Sequence, residues 1–175
     1  MRKTVLFISM SIDGYIADKN GDVDWLEGQE EKESNLDSYN DFIKNTDTII
    51  MGWNTYHQII TKLSKDNWIY EQQTCYVVTH REKKSTNNII FTDKKPSEIV
   101  KTLKKKQGKN IWICGGANTV NQLIKDNLID EYYISVIPTI LGEGIPLFQK
   151  NRELKLKLIG TKTYNGITDL IYIPR

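Results

Sequence analysis

Asn110-Ile111-Trp112-Ile113-Cys114-Gly115-Gly116-Ala117-Asn118-Thr119-Val120 passes from a buried-strand pattern, through two glycines, straight into a helix pattern. A strand that ends in glycine exposes backbone N–H groups with no Cβ in the way, and a helix start adds unpaired donors and the positive end of its dipole. Such a junction suits a phosphate or pyrophosphate. Gly-Gly is also ordinary turn punctuation, so the neighbouring segments decide the meaning.

Upstream, Thr4 to Met10 is almost wholly apolar, as expected of a strand covered on both faces. Residues 11–25 hold Asp13-Gly14, Asn20-Gly21 and Asp22 among few apolar side chains and form a long loop, a length associated with function. Leu36, Tyr39 and Ile43 repeat at helical spacing, predicting a helix from Ser34 to Lys44 capped by Ser34. Thr48 to Met51 is a second buried strand ending at Gly52. Asn54 or Thr55 caps a helix reaching Leu63, Thr74 to Thr79 is a third strand, and Ile89 to Phe91 a fourth. Asp93 stands before Pro96 at the start of a helix that Gly108 closes. Asn110 to Cys114 is the fifth strand, and its helix runs to Asp126. Downstream, 131–136, 154–159 and 168–173 are strands without intervening helices and are expected to pair antiparallel. The pattern predicts an α/β protein: a mostly parallel central sheet, helices on both faces, and an antiparallel C-terminal edge.

At 175 residues the chain is expected to form one domain. A net charge of +2 and 26% charged residues favour neither nucleic acid nor an anionic membrane, so a small-molecule partner is expected. No apolar stretch approaches the roughly 20 residues of a membrane span, and Arg2-Lys3 leads into a strand and not a signal peptide, which reads as cytoplasmic. Cys75 and Cys114, about forty residues apart, match no metal motif and read as reduced core residues.

In open parallel sheets, ligands bind beyond the carboxyl ends of the strands. Ser9, Gly52-Trp53-Asn54-Thr55, Thr79-His80-Arg81 and Gly115-Gly116-Ala117-Asn118 all fall at such ends. Together they offer two glycine-opened helix starts, hydroxyls and a cation along one edge, as a dinucleotide diphosphate requires. The G-x-G-x-x-G fingerprint is absent after the first strand, so the cofactor is expected to bind by another arrangement.

Four ordered segments resemble the dihydrofolate reductase superfamily: residues 7–17, 49–56, 114–118 and 138–148. The closer similarity is to the reductase domain of the bifunctional riboflavin-biosynthesis deaminase-reductase; the deaminase's zinc-ligand pattern of His and paired Cys is not found. The resemblance implies a dihydrofolate-reductase-like three-layer sandwich and an NADPH-dependent reductase. Ser9, Ile16, Ala17 and Gly21 would flank the nicotinamide, under a loop (20–25) that includes Trp25. Gly52, Trp53, Asn54, Thr55, Thr79, His80 and Arg81 map to the adenylate and pyrophosphate side. Cys114, Gly115, Gly116, Ala117, Asn118 and Thr119 would cradle the pyrophosphate, with a cis peptide bond between Gly115 and Gly116. A homodimer through the C-terminal strands is also implied.

Two departures qualify the resemblance. The family commonly carries Arg or Lys after the glycine of the second-strand motif, where it binds the adenosine 2′-phosphate; Trp53 stands there, which leaves NADH open beside NADPH, with Trp53 stacking on adenine and Arg81, His80 or Lys83 as the replacement cation. Dihydrofolate reductases also hold the pterin with a carboxylate on the helix before the second strand. Ser38 falls at that position, with Phe42 beyond it, and Asp37 and Asp41 share a flank by their i, i+4 spacing. The implied substrate is a pyrimidine of the 5-amino-6-(5-phosphoribosylamino)uracil type or a pterin-like heterocycle, reduced by hydride transfer, with Ser11 and Asp13 as substrate or loop-positioning groups. The proton donor stays open among Asp13, Asp37, Asp41 and water. Dihydrofolate reduction is the first alternative, and a nucleotide-binding protein that keeps the fold without catalysis is the second.

Overall fold

The computed structural model describes residues 1–30, 37–149 and 153–175. Along the chain the elements are β1 (Thr4–Ser11), β2 (Tyr15–Ala17), α1 (Asp37–Lys44), β3 (Thr46–Gly52), α2 (Trp53–Gln58), a π-helical turn (Ile59–Leu63), β4 (Thr74–Val78), β5 (Ile89–Thr92), α3 (Pro96–Lys104), β6 (Asn110–Gly115), α4 (Ala117–Lys125), β7 (Glu131–Ile137), β8 (Ile145–Pro146), β9 (Leu156–Tyr164) and β10 (Ile167–Pro174). Eight strands form one sheet in the order β5-β4-β3-β6-β1-β7-β10-β9, while β2 and β8 pair by themselves.

The apolar runs are uninterrupted because the central strands are covered on both faces. Leu6, Ile50, Ile111 and Ile113 face α3 and α4, meeting Val100, Val120 and Leu123. The alternate residues Phe7, Ile49, Met51 and Trp112 face an aromatic layer on the other side, to which Tyr39 and Phe42 of α1 contribute. Phe7 stacks on Phe42 with ring centroids 4.4 Å apart and on Tyr133 at 4.6 Å.

The three C-terminal strands pair antiparallel as expected, with β10 between β9 and β7, and the group joins the parallel sheet through β7. This strand runs parallel to β1 in continuous register from Val5↔Glu131 to Ser11↔Ile137. The cause is α4, which carries the chain from β6 over β1 in a parallel crossover. Only β10 runs against its neighbours β7 and β9. The β9–β10 hairpin turns at Asn165-Gly166, both at positive φ (45° and 73°), as a two-residue turn of this hand requires.

Helix ends also shift. Gly52, and not Asn54 or Thr55, is the N-cap of α2, and it makes no side-chain cap. Pro96 stands in the first turn of α3 as expected, behind the N-cap Lys95, and the helix ends at Lys105 before reaching Gly108. The expected start of α1 at Ser34 lies outside the described residues. Within the long first loop, β2 is an unexpected strand: Tyr15 and Ala17 pair with Pro146 and Ile145. Gly144 makes this pairing close, since a Cβ there would sit 2.2 Å from the Ala17 carbonyl oxygen. Among the described residues no helix is long and apolar enough to cross a membrane.

Candidate functional site

A cleft of about 1040 Å³ opens at the carboxyl ends of β1, β3, β4 and β6. That volume reaches the top of the range for ligand pockets, enough for a dinucleotide and a second small molecule. Its floor is the pair of glycine junctions. Gly115 has φ +127°, a conformation L side chains rarely adopt, and its peptide bond to Gly116 is cis, as the resemblance implies. Gly116 caps α4 without any side-chain hydrogen bond, so the first-turn N–H groups of Ala117, Asn118 and Thr119 have no intrahelical partner.

The two junctions face each other. A Cβ on Gly52 would sit 3.4 Å from the Thr119 hydroxyl and 3.8 Å from the Gly116 nitrogen; a Cβ on Gly116 would sit 3.5 Å from the Thr55 hydroxyl. Bare backbone and two threonine hydroxyls thus line one seam. Donors of this kind fit a diphosphate bridging two nucleotide halves.

Trp53, Asn54, Thr79 and His80 continue the cleft wall along the β3 and β4 ends. Arg81 does not line the cleft, but its Cζ lies 5.0 Å from the Trp53 ring centroid, and Lys83 Nζ lies at 5.4 Å. Two cations of the β4–β5 connection therefore stand over an indole face at the end of a second-strand motif that carries no Lys or Arg of its own.

Over the opposite end lies the loop of residues 18–26. The Asp18 carboxylate accepts the N–H groups of Asn20 (2.7 Å) and Asp22 (2.9 Å), which folds the loop on itself. Gln58 Nε2 donates to the Gly21 carbonyl at 2.8 Å, and Lys62 pairs with Asp22. These contacts latch the loop onto α2 and the π-helical turn. Lys19, Asn20, Gly21, Val23 and Leu26 face the cleft, as do Ser9, Ile16 and Ala17. Trp25 turns away, its indole N–H bonded to the Asp22 carbonyl at 3.2 Å.

Beneath that loop the walls are aromatic: Phe7, Tyr39, Tyr70 and Trp112, with the Cys114 thiol among them. Burial pushes the Cys114 thiol up to about 12 and raises Tyr39 and Tyr70 as well, so all three keep their protons at neutral pH. The described lining contains no Asp or Glu.

The expected substrate-side residues fall elsewhere. Asp13 is a loop-positioning group: its carboxylate accepts the Ser11 hydroxyl at 2.6 Å and the N–H groups of Leu141 (3.1 Å) and Gly142 (2.7 Å), and the Ser11 bond chiefly holds its pKa below the usual value. Ser11 is fully buried and accepts the Tyr15 N–H at 2.9 Å. The two residues brace β2 against the 139–147 loop; neither lines the cleft. Phe42 backs Phe7 from behind. Asp37 opens α1, and its side chain lies outside the described residues. Ser38 is buried and donates to a carboxylate absent from the sequence reading, Asp169 of β10, at 2.6 Å. Tyr70, Gln58, Lys62 and Asp169 were missed because their significance depends on packing between distant segments. An Asp inside the otherwise strand-like run Ile167-Thr168-Asp169-Leu170-Ile171-Tyr172-Ile173 was the one local signal available.

Known proteins agree with this architecture. The RibD C-terminal domain family matches residues 2–172. YwjB of Bacillus subtilis is 40% identical over 174 residues, covering 98% of both chains. The crystal structure of a putative riboflavin biosynthesis protein from Shewanella is similar over 99% of both chains, with 27% identity and a TM-score of 0.84. A diaminohydroxyphosphoribosylaminopyrimidine deaminase/5-amino-6-(5-phosphoribosylamino)uracil reductase from Thermotoga maritima shares the fold, with a TM-score of 0.73 and 16% identity; 99% of this chain covers 57% of that one.

Proposed function

The chain belongs to the RibD C-terminal domain family, and from that premise we propose that it is an NADPH-dependent reductase of a planar, nitrogen-containing heterocycle of the pyrimidine type. The observation that carries this reading is a single cleft: it joins an uncapped, glycine-opened helix start to an aromatic-walled slot, under one latched loop. The bound cofactor supplies the hydride. The chain's own residues bind, orient and exclude water.

In this reading the N–H groups of Ala117 to Thr119 and the hydroxyls of Thr55 and Thr119 hold the diphosphate. Trp53 takes the adenine, and Arg81 and Lys83 neutralise a 2′-phosphate beside it. Ser9, Ile16, Ala17 and Gly21 flank the nicotinamide, where the latched loop keeps water from the reacting carbon. Phe7, Tyr39, Tyr70 and Trp112 hold the heterocycle flat against it. Tyr39 and Tyr70, kept protonated by burial, present hydroxyl groups to its polar edge. A Ser at position 38, bonded to Asp169 where dihydrofolate reductases carry a pterin-binding carboxylate, favours a pyrimidine over dihydrofolate.

Titrating NADPH while following tryptophan fluorescence tests the cofactor half, and loss of reduced-cofactor absorbance over a panel of pyrimidines and pterins tests the substrate half. Saturable binding with turnover of a pyrimidine is expected. Binding without turnover on any heterocycle would transfer the chain to the non-catalytic reading, and no binding would remove both.

A further inference from the structure

The cleft changes character along its length. At the Trp53 end, Arg81 and Lys83 stand over the indole. At the other end an apolar track runs outward from the aromatic slot. Ile59 is 3% exposed and packs in one cluster with Phe7, Tyr70 and Trp112. Leu63, four residues on in the π-helical turn, is 55% exposed, and Leu26 of the latched loop is 37% exposed. Ile59, Leu63 and Leu26 all line the cleft. Leu26 and Leu63 stand on the two elements that the Gly21–Gln58 and Asp22–Lys62 contacts hold together. Leucine side chains left against water at the mouth of a cleft are apolar surface that a bound apolar group covers.

The cations of this mouth are already matched. Lys19 pairs with Glu143 at 2.8 Å, and Lys62 pairs with Asp22. Chiefly through its bond to Asp22, and then through the charges of Asp24 and Asp18, the Lys62 ammonium is held above the usual lysine pKa. Four carboxylates thus act on two ammonium groups, and the described rim is net negative. A phosphate brought here gains no free cation and meets uncompensated negative charge.

Resting on the reductase reading, we infer that the substrate is an unphosphorylated heterocycle bearing an apolar arm: the ring lies in the aromatic slot, and the arm follows Ile59 outward between Leu26 and Leu63. This arm takes the place of the phosphoribosyl group that the sequence resemblance implies. Phosphate in the cleft then belongs to the cofactor alone, at the glycine seam and beside Trp53.

Three uracils that differ only at carbon 6 test this, carrying methylamino, n-butylamino or 3-phosphonopropylamino. Each is titrated calorimetrically into the full chain with saturating NADPH and into the chain alone. One buried methylene is worth roughly three- to fourfold in affinity. After the cost of ordering the arm, the butyl compound is expected to bind at least about tenfold more tightly than the methyl one. The phosphonate, similar in length, is expected to bind no more tightly than the methyl compound. Leu26→Ser and Leu63→Ser, both at exposed positions, should each shrink the butyl-to-methyl ratio by about threefold or more. A butyl compound no tighter than the methyl one, a phosphonate that binds best of the three, a ratio unmoved by both serine variants, or no binding of any of the three overturns the inference. NADPH titrated by tryptophan fluorescence keeps the two readings apart. Saturable NADPH binding without an arm preference overturns the inference and leaves the reductase reading standing. An arm preference in a chain that binds no NADPH supports the apolar arm site and removes the reductase reading.

Discussion

Replacing Arg81 by Ala separates the two nicotinamide cofactors if its guanidinium serves a 2′-phosphate. Arg81 Cζ and Lys83 Nζ stand 5.0 and 5.4 Å from the Trp53 ring centroid, so an adenosine stacked on that indole places its ribose within reach of both. A charge-assisted hydrogen bond contributes about 1.5–3 kcal/mol, which is about 10- to 150-fold in Kd. Both side chains are exposed and salt screens them within roughly 8 Å at physiological ionic strength, which puts the effect at the lower end. About tenfold weaker NADPH binding is therefore expected for Arg81→Ala, and about a hundredfold for the double variant with Lys83→Ala. NADH, lacking the phosphate, should lose only the stacked cation, about two- to threefold. Tryptophan fluorescence titrations of both cofactors at low and physiological salt supply the four constants needed. Equal losses for NADPH and NADH would show that Arg81 merely supports Trp53, and no loss for either would place the phosphate elsewhere.

Gly52→Val tests the seam between the glycine junctions: its φ of −82° and ψ of 165° suit any residue, yet the branched side chain would press on Thr119, so NADPH affinity should fall at least about tenfold while the thermal midpoint moves by only a few degrees. Gln58→Ala removes the 2.8 Å bond to the Gly21 carbonyl, worth about 1 kcal/mol, and hydrogen exchange in residues 19–26 should speed about fivefold; unchanged exchange would mean that the latch does not hold the loop. Cys75 and Cys114 ionise in the folded chain only near 12, against 9.0 for a free thiol. Above the unfolded pKa the unfolded chain has lost protons that the folded chain keeps, so unfolding free energy should fall as pH rises from 9 toward 12, and serine at both positions should flatten that fall.

Much of the fold was legible because the physics behind it is local. Uninterrupted apolar runs at 4–10, 48–51 and 110–114 could only be doubly covered strands, and glycines at their ends marked the ligand edge. The antiparallel pairing of 168–173 with 131–136 and 154–159 was legible from the lack of helices between them, and the α4 crossover sets β7 parallel to β1 beside it. The end of the cleft nearest the glycine junctions is lined by residues that cluster in sequence, so Gly52 to Thr55, Thr79 to His80 and Cys114 to Thr119 could be grouped at one sheet edge from their place after the strands. The aromatic end of the cleft is assembled from single side chains on separate elements. Phe7, Tyr39, Tyr70 and Trp112 carry no motif, and the partners of Asp169 span positions 38 to 164. Between the two tasks open to Asp13, positioning substrate or positioning a loop, only the folded chain decides: three hydrogen bonds tie it to Ser11 and to the 141–142 backbone.

The order of strands has a consequence for how the chain comes into being. β1 leaves the ribosome first, yet both of its neighbours, β6 and β7, are synthesised last among the parallel strands: Thr4 pairs with Ile111, and Ser11 with Ile137. Domains whose pairings join distant segments fold slowly and expose unpaired edges while they wait. The nascent apolar segment Val5-Leu6-Phe7-Ile8 must therefore stay without its partners until more than a hundred further residues have been made. The seam between the glycine junctions, which needs Gly52 and Gly116 side by side, can exist only after that central insertion. On the proposed reading, cofactor supplied during translation would then act as a late clamp on a completed sheet and not as a template for building it.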